Sequence, residues 1–76
     1  NRLVSVCIEN PENICAGIDE STAILVEGNT ATVYGLNQVV ILQQRSSKTK
    51  VENGLLGARN IQLDVLLPGE SFRINK

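Results

Sequence analysis

Two adjacent carboxylates, Asp19 and Glu20, are the side chains of this sequence that are best placed to do chemistry. They lie in the stretch Gly17–Gly28, GIDESTAILVEG, directly before a run of apolar residues that is typical of a buried strand. A carboxylate at the start of such a strand either belongs to a solvated turn or orients a second functional group. On the residues alone the solvated turn is favoured, and the second interpretation stays open.

The chain contains no histidine and no methionine. A self-contained Ser–His–acid or Cys–His nucleophile is therefore excluded, because the general base is missing. The glycines are scattered at turns and do not form a phosphate-binding loop. Asp19 and Glu20 have no further oxygen or nitrogen ligands spaced to complete a metal site. The sequence thus predicts no cofactor and no metal, and this chain alone is not expected to be an enzyme.

The two cysteines, Cys7 and Cys15, have seven residues between them. This spacing matches no zinc or redox motif, since those motifs require CxxC pairs or additional histidines. One disulfide is possible, but two buried free thiols are favoured in a chain with so few cysteines.

Composition limits the core that this chain can build. Of its 76 residues 42% are hydrophobic, yet Tyr34 and Phe72 are the only aromatic residues. A chain of this size buries only about 60% of the surface that its unfolded form exposes, so we expect a thin core that needs a partner surface.

Charge and hydropathy bear on the class of partner. The chain has seven basic and eight acidic residues. This balance differs from the basic stripe that is typical of a nucleic-acid binder. No apolar run reaches the ~18 residues that a membrane span requires, so neither nucleic acid nor membrane is an expected partner.

The chain begins at Asn1 without methionine, and we expect it to be a processed piece or part of a longer polypeptide.

The pattern of apolar residues predicts one short helix followed by strands. Leu3–Glu9 fits both helical and strand periodicity, and we interpret it as the end of a helix that stops before Pro11. The predicted strands are Ala23–Glu27, Thr30–Tyr34, Val39–Gln43, Ile61–Leu67 and Ser71–Ile74, with turns at Gly28-Asn29 and Pro68-Gly69 and a polar loop over Arg45–Asn53. The second strand alternates between polar and apolar residues, which predicts one polar and one apolar face, and Gly35 ends it. The third strand is apolar enough to be covered on both faces. The chain alone is therefore expected to be a helix remnant with a small, mostly antiparallel sheet.

Several segments resemble the C-terminal third of cyanophycinase-like serine peptidases. The most specific are Asn1–Val6 (NRLVSV), Glu9-Asn10-Pro11 and the Gly-Ile-Asp-Glu motif at residues 17–20, in this order and spacing. Val33-Tyr34-Gly35, the apolar strand Val39–Leu42 and Leu66–Phe72 (LLPGESF) agree with the same family, so the resemblance covers nearly the whole chain. Cys15-Ala16 departs from the glycine-containing segment of many relatives.

The resemblance implies an α/β parent domain related to class I glutamine amidotransferases, of which residues 1–76 would be the C-terminal part. It implies that Glu20 is the acid of a Ser–His–Glu triad, whose serine and histidine lie on a larger upstream chain or segment. Arg2 matches a family arginine that is implied to bind a substrate carboxylate, for which a guanidinium is well shaped. Asp19 is expected to be structural.

The activity implied is hydrolysis of aspartyl or β-aspartyl peptides, such as the β-Asp-Arg units of cyanophycin. A homodimer of the complete protein is the implied assembly. The competing hypotheses are an inactive, small β-rich binding or structural module, and a homologue that acts on another dipeptide.

Overall fold

The computed structural model describes residues 2–45 and 49–74, except for the side chains of residues 49 and 50. In this part of the chain one helix is followed by eight strands. They are α1 (Arg2–Glu9), β1 (Ile14–Ile18), β2 (Thr22–Glu27), β3 (Thr30–Gly35), β4 (Val39–Gln44), β5 (Thr49–Glu52), β6 (Leu55–Ala58), β7 (Ile61–Leu66) and β8 (Ser71–Arg73). The strands form a sheet of order β1-β4-β7, a sheet of order β2-β3-β8, and the pair β5-β6.

The α/β fold implied by the resemblance is wrong for this chain, which is a small, mostly antiparallel β-rich domain. The pairs β2–β3, β3–β8 and β5–β6 are all antiparallel. Parallel strands require crossover connections of a dozen or more residues, usually helical. Here two-residue turns join β2 to β3 and β5 to β6, which permits only antiparallel pairing.

Backbone contacts divide the chain into two compact units. The first contains the chain up to Ala16 together with Ile41–Asp64, and the second contains Gly17–Val40 together with the chain from Val65 onward. Each unit is described by itself below.

In the first unit, α1 packs one side onto a small apolar cluster. Cys7 and Ile8 are buried, and Cys7 joins Cys15 and Leu42 in a core against which Leu3 and Val4 pack. These helix positions recur at the spacing of one helical face. Asn10 ends the helix by donating its side-chain amide to the Val6 carbonyl and its backbone N–H to the Cys7 carbonyl, and the predicted helix end before Pro11 is confirmed.

The apolar run of β4 is buried, as its sequence predicts. Val39, Ile41 and Leu42 are fully buried, with exposed fractions of at most 2%. Because Ile41 and Leu42 are adjacent, their side chains point to opposite faces of the strand, so both faces are covered.

The prediction of a continuous polar loop over Arg45–Asn53 is wrong. Residues 46–48 lie outside the described part, but β5 occupies Thr49–Glu52 and pairs with β6 around Asn53-Gly54.

In the second unit, the predicted hairpin of β2 and β3 is confirmed. Glu27 pairs with Thr30 across Gly28-Asn29, and Gly28 takes the positive φ of 60° that a primed turn requires at its first position. Ala31 and Val33 are fully buried, whereas Thr30 and Tyr34 are exposed. The predicted division of β3 into an apolar and a polar face is therefore confirmed.

The Pro68-Gly69 turn is confirmed and leads into β8. Gly69 has a φ of 93°, and the Glu70 N–H donates to the Leu67 carbonyl at 3.0 Å, as in a type II turn. The Glu70 carboxylate accepts from the Leu67 N–H at 2.7 Å. The turn thereby aligns β8 beside β3, with Phe72 opposite Ala31.

Candidate functional site

The turn between β1 and β2, Asp19–Thr22, lies in the second unit, and we call it the acidic turn. Asp19, Glu20 and Ser21 are exposed, and Thr22 is partly buried. Ser21 has a φ of 56°, a left-handed conformation that costs a non-glycine residue on the order of 1 kcal/mol. Such a residue persists only where the surroundings hold it, so the contacts of this turn matter.

Hydrogen bonds join the acidic turn to the segment that follows β3. The Glu20 carbonyl accepts from the Asn37 side-chain amide at 2.7 Å and from the Thr22 hydroxyl at 3.0 Å. The same hydroxyl accepts from the Asn37 backbone N–H at 3.0 Å, and the Leu36 N–H donates to the Ser21 carbonyl at 2.9 Å. Thr22 and Asn37 thus both hold the Glu20 carbonyl in place.

Gly35 allows this close approach. A Cβ atom at Gly35 would overlap the Ser21 carbonyl oxygen and would lie 2.7 Å from the Thr22 Cα. The φ of Gly35 is 126°, a value that residues with a side chain rarely adopt. Glycine is therefore required where the backbone of β3 passes the acidic turn.

The acidic turn presents two carboxylates from a fixed backbone. Both Asp19 and Glu20 are exposed. An exposed carboxylate on a rigid backbone can accept a hydrogen bond from a cation or an imidazole of another chain with little loss of backbone entropy.

Arg2, the other predicted site residue, is an exposed residue at the start of α1. It belongs to the first unit, whereas Glu20 belongs to the second. Arg2 and Glu20 are both exposed, and the roles predicted for them stay predictions.

Next to the acidic turn, β2, β3 and β8 expose a face that we call the outer face. It consists of the side chains on one side of this sheet, which the strand register identifies as Ala23, Leu25, Glu27, Thr30, Thr32, Tyr34, Ser71 and Arg73. Leu25 is 47% exposed and Tyr34 is 52% exposed. They share this face diagonally, because Leu25 pairs with Thr32 and Ala23 pairs with Tyr34.

The two ends of the outer face differ in charge. Thr30 pairs with both Glu27 and Arg73, so a carboxylate and a guanidinium share one cross-strand row at the far end. Thr22 pairs with Gly35 at the other end, where the acidic turn begins. The acidic turn, with Asp19 and Glu20, therefore adjoins the end of the sheet that carries Tyr34.

Comparisons with known proteins do not add to this site: searches of protein-family models, characterised proteins and solved structures found no significant match to the chain. Within residues 2–45 and 49–74, no group of three or more metal-binding side chains could hold an ion. The only helix described there is too short to span a bilayer.

Sequence reasoning identified the acidic pair but missed the residues that position it. The sequence predicts Gly35 only as the residue that ends a strand, and it does not single out Asn37. The signal was present in part, since Gly-x-Asn after a strand is typical of a turn. Asn37 reaches the acidic turn only because of the register between β2 and β3, which no local pattern specifies.

Proposed function

We propose that this chain is a β-rich binding module. Its outer face packs against an apolar patch of another polypeptide, while the acidic turn faces a cationic side chain of that partner. The observation that carries this proposal is the half-exposed pair Leu25 and Tyr34 on a face of regular, hydrogen-bonded strands.

The exposure of this pair supports binding through its chemistry and its rigidity. Tyrosine combines a large apolar ring with a hydroxyl, and it is enriched among the residues that dominate interface energies. Leu25 and Tyr34 extend from paired strands, so a partner would not have to order their backbone. The fully buried Val33 on the opposite side of β3 anchors the same strand.

Charge indicates the chemistry of the partner. The acidic turn leads directly into β2, the strand that carries Leu25, and complementary charge at the rim of an interface steers association. A second copy of this chain suits the face less well, because Arg73, the basic residue on the outer face, shares its row with Glu27. The expected partner is a different polypeptide with a basic residue next to an apolar patch.

Cross-linking from the outer face tests this function. A photo-reactive phenylalanine analogue at position 34 should cross-link one polypeptide in the source cells, and Leu25→Asp should abolish the product. The same analogue at position 55 is the control, since Leu55 is an exposed residue of the β5–β6 pair in the first unit. A product that persists in Leu25→Asp, that forms equally from position 55, or that contains only this chain would contradict the proposal.

A second candidate is the role implied by the resemblance, in which Glu20 orients the histidine of a peptidase carried by another chain. The exposed carboxylate on a fixed backbone favours it, whereas the β-rich fold argues against the family. If a native complex contains a serine- and histidine-bearing companion, Glu20→Gln should slow its hydrolysis of a β-Asp-Arg dipeptide about 10⁴-fold, as loss of a triad acid does. Asp19→Asn is the matched control, and equal rates for the two variants would remove Glu20 from catalysis.

A further inference from the structure

The two cysteines of the first unit come together although they lie in different elements. Cys7 is in the last turn of α1 and Cys15 is in β1. The connection between them is folded back on itself, since the Asn10 N–H donates to the Cys7 carbonyl and the Asn13 N–H donates to the Asn10 carbonyl. Both cysteines then contribute to one buried cluster, in which Leu42 is the third member.

Both thiols are buried in an apolar environment. Cys7 is 0% exposed and Cys15 is 7% exposed, and neither is in a disulfide. Burial raises the pKa of the Cys15 thiol, and the neighbouring Cys7 raises that pKa further. Both side chains belong to one buried cluster of three residues, and proximity of this kind is what an intramolecular disulfide requires.

We propose that Cys7 and Cys15 are a redox-active dithiol that a low-molecular-weight disulfide, such as oxidised glutathione, converts into an intramolecular disulfide. The thiolate of one cysteine attacks the oxidant, releases one thiol and forms a mixed disulfide. The second cysteine then attacks the protein sulfur of that mixed disulfide and releases the second thiol. Two protein thiols are oxidised, and one disulfide of the oxidant is reduced to two thiols.

Access to the oxidant comes from local opening of α1. An isolated helix shorter than about 12–15 residues is marginal in water, so the eight residues of α1 depend on the apolar cluster for their order. Opening of such a segment needs less free energy than global unfolding. Once formed, the bond joins the last turn of α1 to β1 and opposes this opening.

Mass spectrometry of the native chain after reaction with oxidised glutathione tests the proposal. The expected product is a monomer that has lost two hydrogen atoms and carries no glutathione. Cleavage after Glu9 and Glu12 places the cysteines on separate peptides, which should remain linked until a reductant is added. The variants Cys7→Ala and Cys15→Ala should give only the mixed disulfide on the remaining cysteine.

Glutathione redox buffers provide a second readout. The internal disulfide should be favoured about tenfold or more in the native chain relative to the chain in denaturant, because folding holds the thiols together and the bond in turn favours folding. Mixed disulfides that persist at both cysteines of the native chain, disulfide-linked dimers, or an equilibrium that is equal in native and denatured chains would overturn the proposal.

Discussion

Replacing Thr22 by valine removes one hydroxyl group from the acidic turn and changes little else in shape. That hydroxyl donates to the Glu20 carbonyl and accepts from the Asn37 backbone N–H, both at 3.0 Å. The Glu20 carbonyl keeps the Asn37 side-chain amide as a donor at 2.7 Å. The main consequence is therefore the loss of an acceptor for the partly buried N–H of Asn37.

The magnitude follows from these contacts. A hydrogen bond contributes about 0.5–1.5 kcal/mol net, and a buried donor left without an acceptor costs about 1–3 kcal/mol. Because Thr22 is only partly buried, water offsets part of this loss. We expect Thr22→Val to lower the free energy of unfolding by about 2 kcal/mol, which corresponds to a Tm lower by about 10 °C for a chain of this size.

Urea denaturation followed by circular dichroism measures this change, with Thr30→Val as the matched control. Thr30 is an exposed residue of the neighbouring strand, so the same substitution there should change the free energy of unfolding by less than about 0.5 kcal/mol. If Thr22→Val and Thr30→Val are equally stable, the hydrogen bonds of the acidic turn do not fix its backbone, and the basis for presenting Glu20 fails.

Three further substitutions test the fold by the free energy of unfolding. Gly35→Ala should cost about 1–3 kcal/mol more than Gly28→Ala, because a Cβ meets the backbone of the acidic turn at position 35 and nothing within 4 Å at position 28; equal losses would refute that packing. Ile41→Ala should cost about 2–5 kcal/mol, while Leu36→Ala, at an 80% exposed position, should cost less than about 0.5 kcal/mol. The pKa of Cys15 is raised in the native chain, so the thiol of the unfolded chain ionises first as pH rises above about 8.5. The free energy of unfolding should therefore fall above this pH, by at most about 1.4 kcal/mol per pH unit. Cys15→Ala should remove this slope, and an unchanged slope would show that Cys15 does not cause it.

Local patterns in the sequence were sufficient for the elements that depend on neighbouring residues. Gly28-Asn29 and Pro68-Gly69 predicted their turns because the allowed backbone angles of these residues decide the conformation. The continuous apolar run Val39–Leu42 predicted a strand covered on both faces. The alternation of β3 predicted which of its faces is buried.

Features that depend on distant residues were not predictable in this way. The sequence did not predict β1, because Ala16 and Gly17 in the middle of Ile14–Ile18 have low strand propensity. Packing of Cys15 in the apolar cluster compensates for this. β5 was assigned to a loop because its residues are mostly polar, although pairing with β6 stabilises them. The α/β expectation failed because it came from motif resemblance, which does not specify how strands pair.

The candidate site shows the same division. Glu20 stood out because two carboxylates precede an apolar run, whereas Asn37 is 17 residues away and reaches Glu20 only through the β2–β3 register. The neighbourhood of Cys7 and Cys15 likewise depends on the folded connection after α1.

The affinity of the chain for the polypeptide cross-linked from position 34 tests the central claim most directly. Isothermal titration calorimetry should give a Kd about tenfold or more higher for Leu25→Ser than for the unmodified chain, since an interface residue that dominates binding contributes at least about 1.4 kcal/mol. Leu55→Ser, which changes an exposed leucine of the first unit, should bind as the unmodified chain does. An unchanged Kd for Leu25→Ser, or an equal loss for Leu55→Ser, would contradict binding through the outer face.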